Sequence, residues 1–199
     1  MSQIWLTSDT HFGHTNIIRY CNRPFSAVEE MDDVLLKNMQ VRINEDDFLV
    51  HLGDVTLIRK PWQPSPAHVS RSIDVICQIP GRKILVAGNH DMPHMRKFYQ
   101  QHGWIVIDEF RFEHVLFTHV PRLKLPVGFS LNIHGHTHGN FSQEYPDFNS
   151  QSYIDVGVDP MNYVPVTASS VLGNEVADKL MTSLYQLFHQ NSSVVPIGE

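Results

Sequence analysis

The sequence predicts an α/β fold whose sheets become mixed after about residue 104. In the first half, short apolar runs rich in β-forming residues alternate with amphipathic helical segments, the pattern of strands joined by helices. Farther along, several strand-like runs follow one another with no helix between them, which favours antiparallel pairing. The 199 residues, 42% of them apolar, suit a single domain, which we expect to span residues 1–190.

The elements of the first half are bounded by polar or turn residues. Each predicted strand is an apolar run that stops at Gly or Asp, and each helix carries apolar side chains at helical spacing. Ser26 and Glu29 have the spacing of a capping box and mark a helix start. The predicted strands are 3–8, 47–52 and 83–87, and the predicted helices are 26–44, 69–77 and 95–102.

The second half is predicted to be richer in strands. Its strand-like runs are 104–107, 110–112, 114–117, 131–134 and 153–158. A loop rich in Gly, Asn, Ser and Pro covers residues 139–151. Residues 168–190 have the periodicity of one last amphipathic helix, and residues 191–199 are expected to form a flexible tail.

Charge and composition disfavour several classes of function. The net charge is −6 and there is no block of Lys or Arg, which disfavours sequence-independent binding to a nucleic-acid backbone; nucleic acid is expected only as a possible substrate. No apolar run approaches the ~18 residues that span a bilayer, and the start does not resemble a signal peptide. Cys21 and Cys77 fit no metal-binding spacing, so we expect reduced thiols and a cytoplasmic location without membrane contact.

Polar clusters occur at the ends of predicted strands along most of the chain. In an open α/β sheet, ligands gather beyond the carboxyl ends of strands, so distant clusters can converge on one point. Packing does not require such a series, and its joint occurrence predicts a site for two metal ions. The clusters are Asp9-Thr10-His11, Gly53-Asp54, Gly88-Asn89-His90-Asp91, Thr118-His119 and Gly135-His136-Thr137-His138.

The donor atoms in these clusters define the kind of metal. Two carboxylates, one amide and four imidazoles are hard-to-borderline donors without a thiolate, which favours Mn²⁺, Fe, Zn²⁺, Co²⁺ or Ni²⁺ over Ca²⁺. One carboxylate can bridge two ions ~3.5–4 Å apart, the separation usual in bimetal phosphatases and nucleases. The excess positive charge of such a centre suits a phosphate ester.

From about Ile4 to Val158 the chain resembles the calcineurin-like metallophosphoesterases. Every block of that family's pattern is present: D-x-H, G-D, G-N-H-[DE], H and G-H-x-H. The resemblance implies a β-sandwich of two mixed sheets flanked by helices. One departure is Gly53-Asp54-Val55, which lacks the longer acidic continuation of some branches and leaves the branch open.

The resemblance also implies roles for individual residues. Asp54 would bridge two divalent transition-metal ions, for which Mn²⁺ is the first choice. His90 would not bind metal but would donate a proton to the leaving oxygen. Asp91 could orient His90 or simply end the turn. The implied ligands of one ion are Asp9, His11, Asp54 and His138, and those of the other are Asp54, Asn89, His119 and His136.

Residues 12–25 resemble the small bacterial and phage branch with the pattern D-x-H-F-G-H-x-N-I. His14 and Arg23 follow two implied metal ligands closely, so either could contact a substrate phosphate, and Arg suits a bidentate contact. The alternative is that Arg23 pairs with an acid at the protein surface.

The resemblance implies a phosphoesterase in which a metal-bridging hydroxide attacks phosphorus. Small members without a large cap often cleave diesters, which favours a phosphodiesterase. A phosphomonoesterase with the same metal core is the alternative. A non-catalytic scaffold, like the retromer subunit of this fold, is disfavoured because His90 and every implied ligand are present. The sequence does not predict the natural substrate or the oligomeric state.

Overall fold

The structure is a computed structural model that describes residues 2–58 and 67–192. Its strands are β1 (Ile4–Thr7), β2 (Phe48–His51), β3 (Arg82–Val86), β4 (Ile105–Ile107), β5 (Phe110–Phe112), β6 (Val115–Phe117), β7 (Leu131–His134), β8 (Tyr153–Asp155) and β9 (Val166–Thr167). Its helices are α1 (Thr15–Tyr20), α2 (Val28–Gln40), α3 (Ala67–Cys77), α4 (Pro93–Gln101), α5 (Phe141–Glu144), α6 (Ala168–Leu172) and α7 (Asn174–Ser192), with a 3-10 turn at Ser150–Ser152.

The strands form two mixed sheets. In the first, the order is β4-β3-β2-β1-β9, with β1 to β4 parallel and β9 antiparallel to β1. In the second, the order is β5-β6-β7-β8, where β5 is antiparallel to β6 and the other pairs are parallel. The predicted α/β class, with two mixed sheets flanked by helices, is confirmed.

Apolar side chains fill the space between the sheets and also cover the far side of the first sheet. Val50 and Val86 pack in one cluster with Phe117 of the second sheet, whereas Leu49 and Leu85 belong to a cluster with helices α2, α3 and α4. Both faces of these central strands are therefore buried, which explains why their sequences are continuous apolar runs rather than alternating ones.

Several boundaries differ from those predicted. The last helix is divided at Gly173, whose φ of +80° ends α6 before α7 begins. Ser26 bonds through its N–H and hydroxyl to Glu30, at 2.8 and 2.7 Å, rather than to Glu29 as the capping-box spacing suggested. Strand β8 stops at Asp155, the predicted loop at 139–151 contains α5, and α1 and β9 were not predicted as elements.

The C-terminal prediction is only partly covered. Helix α7 continues to Ser192, so Asn191 and Ser192 are helical rather than part of a tail, and residues 193–199 lie outside the described residues. No helix in the described ranges combines the length and apolar content that crossing a bilayer requires.

Candidate metal centre

The polar clusters meet where strands of both sheets end. Asp9, Asp54 and Asn89 follow β1, β2 and β3 of the first sheet, while His119 and His136 follow β6 and β7 of the second. The structure thus brings together residues separated by more than a hundred positions in the chain. All seven ligands predicted from the sequence belong to this cluster, in two overlapping groups.

The Asp54 carboxylate lies between the two groups. Its Oδ2 atom is 3.6 Å from Nε2 of His11 and 3.3 Å from Nε2 of His119. Ligand atoms of Asp9, His11 and His138 lie within 4.8 Å of one another, and those of Asp9, Asp54 and His119 do the same. One carboxylate oxygen thus faces both groups, as a bridging ligand requires.

The second group is centred on His119. Its Nδ1 lies 2.8 Å from the carbonyl oxygen of Leu52, which accepts the Nδ1 proton and leaves Nε2 to face the cluster. Nε2 is 2.9 Å from Oδ1 of Asn89 and 3.3 Å from Nδ1 of His136. An amide oxygen and two imidazole nitrogens facing one another are donors for a cation.

Buried polar atoms in the first group also fit a cation. Oδ1 of Asp9 and both ring nitrogens of His11 are buried without a hydrogen-bond partner among the described residues. Burial raises the pKa of Asp9 to about 6 and lowers the pKa of His11 well below its usual value. Because unpartnered buried polar atoms are destabilising, their juxtaposition fits a divalent ion bound by oxygen and imidazole ligands.

The backbone at five of the predicted ligands is strained. Asp9, His11, Asp54, His136 and His138 all have φ between +48° and +70°, the left-handed region that side chains with a Cβ rarely adopt. Each such residue costs of order 1–3 kcal/mol and persists only where its surroundings impose it. Their concentration at the predicted ligands indicates that these loops are shaped by the site they form.

Two glycines allow the strand ends to approach the carboxylates. A Cβ at Gly88 would lie 2.2 Å from Oδ1 of Asp54, and one at Gly135 would lie 2.3 Å from Oδ2 of Asp9. The same Oδ2 accepts the N–H of His136 at 2.9 Å. Any side chain at either glycine would therefore displace a carboxylate of the centre.

Arg23 does not reach the cavity, and the expectation that it contacts substrate is corrected. Its side chain is fully buried and donates two hydrogen bonds of 2.8 Å to Asp159 and one of 2.7 Å to the carbonyl of Asp9. Asp159 in turn accepts the Nδ1 proton of His138 at 2.7 Å. Arg23 therefore pairs with an acid, as the alternative held, but beneath the site rather than at the surface.

Asp159 is a residue that the sequence analysis missed. Its signal was present, because it directly follows the predicted strand at 153–158, as Asp9 and Asp54 follow theirs. Asp159 orients the imidazole of His138, which faces the centre. A carboxylate that accepts the second ring N–H in this way is common beside metal-binding histidines.

Asp91 binds backbone rather than His90. Its carboxylate accepts the N–H groups of Gly88 and Asp54 at 2.8 Å each and that of Val55 at 3.2 Å. Of the two predicted roles, orienting His90 is not observed, whereas fixing the turn is. The carboxylate joins the loops after β2 and β3, and so holds Asp54 in place.

A cavity of about 480 Å³ opens over the cluster. Its wall includes His14, so this predicted substrate contact does face the cavity. The His90 side chain is partly exposed, its Nε2 lies 3.9 Å from Oδ2 of Asp54, and its backbone N–H donates to Oδ1 of Asp54 at 2.8 Å. His90 is thus at the boundary between the cluster and the space open to a ligand.

Several known proteins have sequences or structures similar to this chain. The sequence model of the calcineurin-like phosphoesterase family matches residues 2–185. The protein MJ1445 of Methanocaldococcus jannaschii is 35% identical over 174 residues, which cover 86% of this chain and 90% of that protein. The gene 66 protein of Mycobacterium phage L5 is 34% identical over 131 residues, 64% of this chain and 56% of that protein.

Among solved structures, the protein AQ665 of Aquifex aeolicus aligns with a TM-score of 0.64 at 26% identity, over 90% of this chain and all of that one. The match to the family extends over nearly the whole described chain and includes every cluster at the strand ends. With its converging carboxylate, amide and imidazole donors, the chain belongs to the calcineurin-like phosphoesterases, which are metal-dependent hydrolases of phosphate esters.

Proposed function

We propose that this phosphoesterase is a phosphodiesterase with a binuclear centre. The position of Asp54 carries the binuclear part, because one of its oxygens faces a ligand nitrogen of each group. The proposed ligands are those predicted from the sequence: Asp9, His11, Asp54 and His138 for one ion, and Asp54, Asn89, His119 and His136 for the other. Residues 1–190 are proposed to form one domain.

The space on both sides of Asn89 supports a diester substrate. Asn89 lines the cavity of about 480 Å³ that contains His90 and also a second cavity, of about 350 Å³, that contains His119 and Arg122. A monoester has one organic group to accommodate, whereas a diester has two, which leave the phosphorus in different directions. The two cavities give each group a place beside the same ligand.

The residues of the site have different roles in the proposed reaction. When bound, the two ions provide a water of lowered pKa and neutralise the phosphate oxygens. Asp54 and Asp9 hold the two groups of ligands together, and Asp91 fixes the loop of Asp54 through its backbone. His90, at the edge of the cavity, donates a proton to the departing oxygen. His14, on the same wall, is proposed to contact the substrate.

Manganese is the proposed metal, because four imidazoles suit a transition metal better than Mg²⁺. A chelator should abolish activity, and Mn²⁺ should restore it at least as well as Mg²⁺. Best activity with Mg²⁺ alone would contradict the ligand set. Elemental analysis of Asp54→Ala should show a loss of bound metal, whereas full occupancy of two ions would refute its bridging position.

The choice between ester classes is tested with two model substrates. Mn²⁺-loaded protein is expected to hydrolyse bis-p-nitrophenyl phosphate with a higher kcat/KM than p-nitrophenyl phosphate. A clear preference for the monoester would instead assign the protein to the phosphomonoesterases. Full metal occupancy without hydrolysis of either ester would support the non-catalytic scaffold.

A further inference from the structure

An aromatic ring stands exposed on the wall of the cavity over the metal centre. Tyr20, the last residue of α1, is 64% exposed, although it lines the same cavity as His90 and His136. Large aromatic side chains usually bury most of their surface, because their burial is among the most favourable contributions to folding. An open tyrosine beside a reaction centre therefore invites a functional explanation.

The ring is partly oriented by its neighbours. The ring of His14 meets it edge-on, with centroids 6.2 Å apart and an angle of 68° between planes. The guanidinium carbon of Arg19 lies 5.3 Å from the centroid of Tyr20, within the range of a cation–π interaction. These contacts reduce the freedom of the ring while leaving most of its surface open.

The helix that carries Tyr20 is anchored to the core. Ile17 of α1 is buried, and the preceding loop is held because the N–H of Gly13 donates to both carboxylate oxygens of Asp32 at 3.1 Å. The hydroxyl of Thr56 donates to the carbonyl of Phe12 at 2.6 Å. The helix that carries the exposed ring is therefore held in place by buried contacts and hydrogen bonds.

We propose that Tyr20 forms a subsite for a planar aromatic group of the substrate, and that this group is a nucleobase. The inference rests on the proposed function, since it names the substrate class as nucleoside phosphodiesters. The cavity volume lies within the range of about 300–1,000 Å³ usual for small-ligand pockets, so there is room for a nucleoside beside the phosphate. The cation of Arg19 at the ring also suits an anionic ligand in a chain whose net charge is −6.

Stacking, rather than simple apolar contact, is the interaction expected at this position. Every nucleobase presents a π-face, and an aromatic side chain holds it with little dependence on base identity. The subsite would therefore discriminate a nucleotide from a sugar phosphate, but weakly among bases. Replacing the aromatic ring should remove this discrimination, which corresponds to about 5- to 150-fold in affinity.

The test compares two ligands that differ only in the base. Binding of adenosine monophosphate and of ribose 5-phosphate to Mn²⁺-loaded protein is measured by calorimetry for the wild type, Tyr20→Phe and Tyr20→Leu. The wild type and Tyr20→Phe should bind the nucleotide more tightly than the sugar phosphate. In Tyr20→Leu the ratio of the two dissociation constants should fall toward one, with little change for ribose 5-phosphate.

Phe148→Leu is the matched control, because Phe148 is an exposed aromatic residue that does not line this cavity. It should keep the wild-type ratio. An unchanged ratio in Tyr20→Leu, with the protein folded by thermal melting, would overturn the subsite, as would an equal loss for both ligands. Hydrolysis of ethyl p-nitrophenyl phosphate, which has no base, separately tests the proposed diesterase and can fail while the subsite stands.

Discussion

The Nδ1–H of His138 donates a 2.7 Å hydrogen bond to the Asp159 carboxylate, which Arg23 holds from its other side. Burial lowers the pKa of His138, but the hydrogen bonds to Asp159 and Cys21 and the nearby Asp9 carboxylate together outweigh burial and raise the pKa to about 10. With Nδ1 occupied, Nε2 is the nitrogen available to a metal ion. Asp159 thereby sets both the orientation of the ring and the nitrogen it presents.

Asp159→Asn should weaken metal binding. The amide would no longer stabilise the imidazole as the carboxylate does, and loss of such a partner typically lowers metal affinity by about 10- to 100-fold. Titration of the metal-free protein with Mn²⁺ in a calorimeter measures the effect. Asp46→Asn is the control, because Asp46 is an exposed carboxylate that pairs with Arg82. Arg82 is the first residue of β3, at the end of that strand opposite the site. Equal affinities for the two variants would contradict the role of Asp159.

Gly135→Ala should disrupt the centre while the same change at Gly103 should not. The new Cβ at Gly135 would lie 2.0 Å from the Ser8 hydroxyl oxygen and 2.3 Å from Oδ2 of Asp9, so Asp9 must move. At Gly103, with φ of +79°, no described atom lies within 4 Å of the new Cβ, and only the backbone cost of about 1–2 kcal/mol remains.

Metal content by elemental analysis and Tm by calorimetry distinguish these two glycine variants. Gly103→Ala should lose some stability but retain its metal. Gly135→Ala should lose stability and metal together. Full metal occupancy in Gly135→Ala would show that the position of Asp9 is not needed for binding.

His90→Asn should leave the metal and the fold intact. Turnover should fall by ~10²–10⁴-fold, the usual effect of losing a general acid or base. The loss should be smaller for a nitrophenyl ester than for an alkyl or nucleoside ester, since a good leaving group departs without a proton. Steady-state kinetics with a series of leaving groups, alongside metal analysis, measures this. Loss of a metal ion, or an equal penalty for all esters, would rule out His90 as the proton donor.

Metal binding near neutral pH should release protons. Burial opposes a charge on His119, but its hydrogen bond to Asp54 and the nearby carboxylates raise its pKa to about 9, and the pKa of His138 is raised to about 10. Both imidazoles are therefore in the positively charged, doubly protonated form at pH 7 in the metal-free protein. Each must lose one proton to bind a metal. The apparent affinity should rise as the pH increases from 7 toward 9.

Calorimetry in two buffers of different ionisation enthalpy measures the number of protons released by metal binding. The observed heat should differ between the buffers in proportion to that number. Identical heats at pH 7 would show that His119 and His138 bind metal without deprotonation, or do not bind it.

The sequence predicted the convergence of the ligands because the carboxyl ends of parallel strands share one edge. Asp9, Asp54 and Asn89 each end a run whose strand character was evident, so their meeting followed from the α/β class. The sequence did not reveal Arg23 as a buried partner of Asp159. The two residues are 136 positions apart, and an arginine in a surface ion pair would have the same local sequence. The contacts of a polar side chain depend on tertiary structure, which no local pattern contains.

Local signals also misled where two neighbouring residues could serve equally. Glu29 and Glu30 both lie in the first turn of α2, and the structure uses Glu30. Gly173 lies within an otherwise continuous helical periodicity, and a single glycine is often tolerated in a helix, so its role as a break was not evident.

The left-handed backbone of the predicted ligands lowers the stability of the fold, so forming this site costs stability. At His136 and His138, glycine would adopt the same φ without steric conflict. Replacing these residues by glycine would therefore stabilise a chain that no longer had to bind metal. Stabilising substitutions at catalytic loops commonly reduce function in this way. Efforts to make this protein more heat-resistant should therefore alter positions away from the ligand loops, where stability and catalysis do not compete.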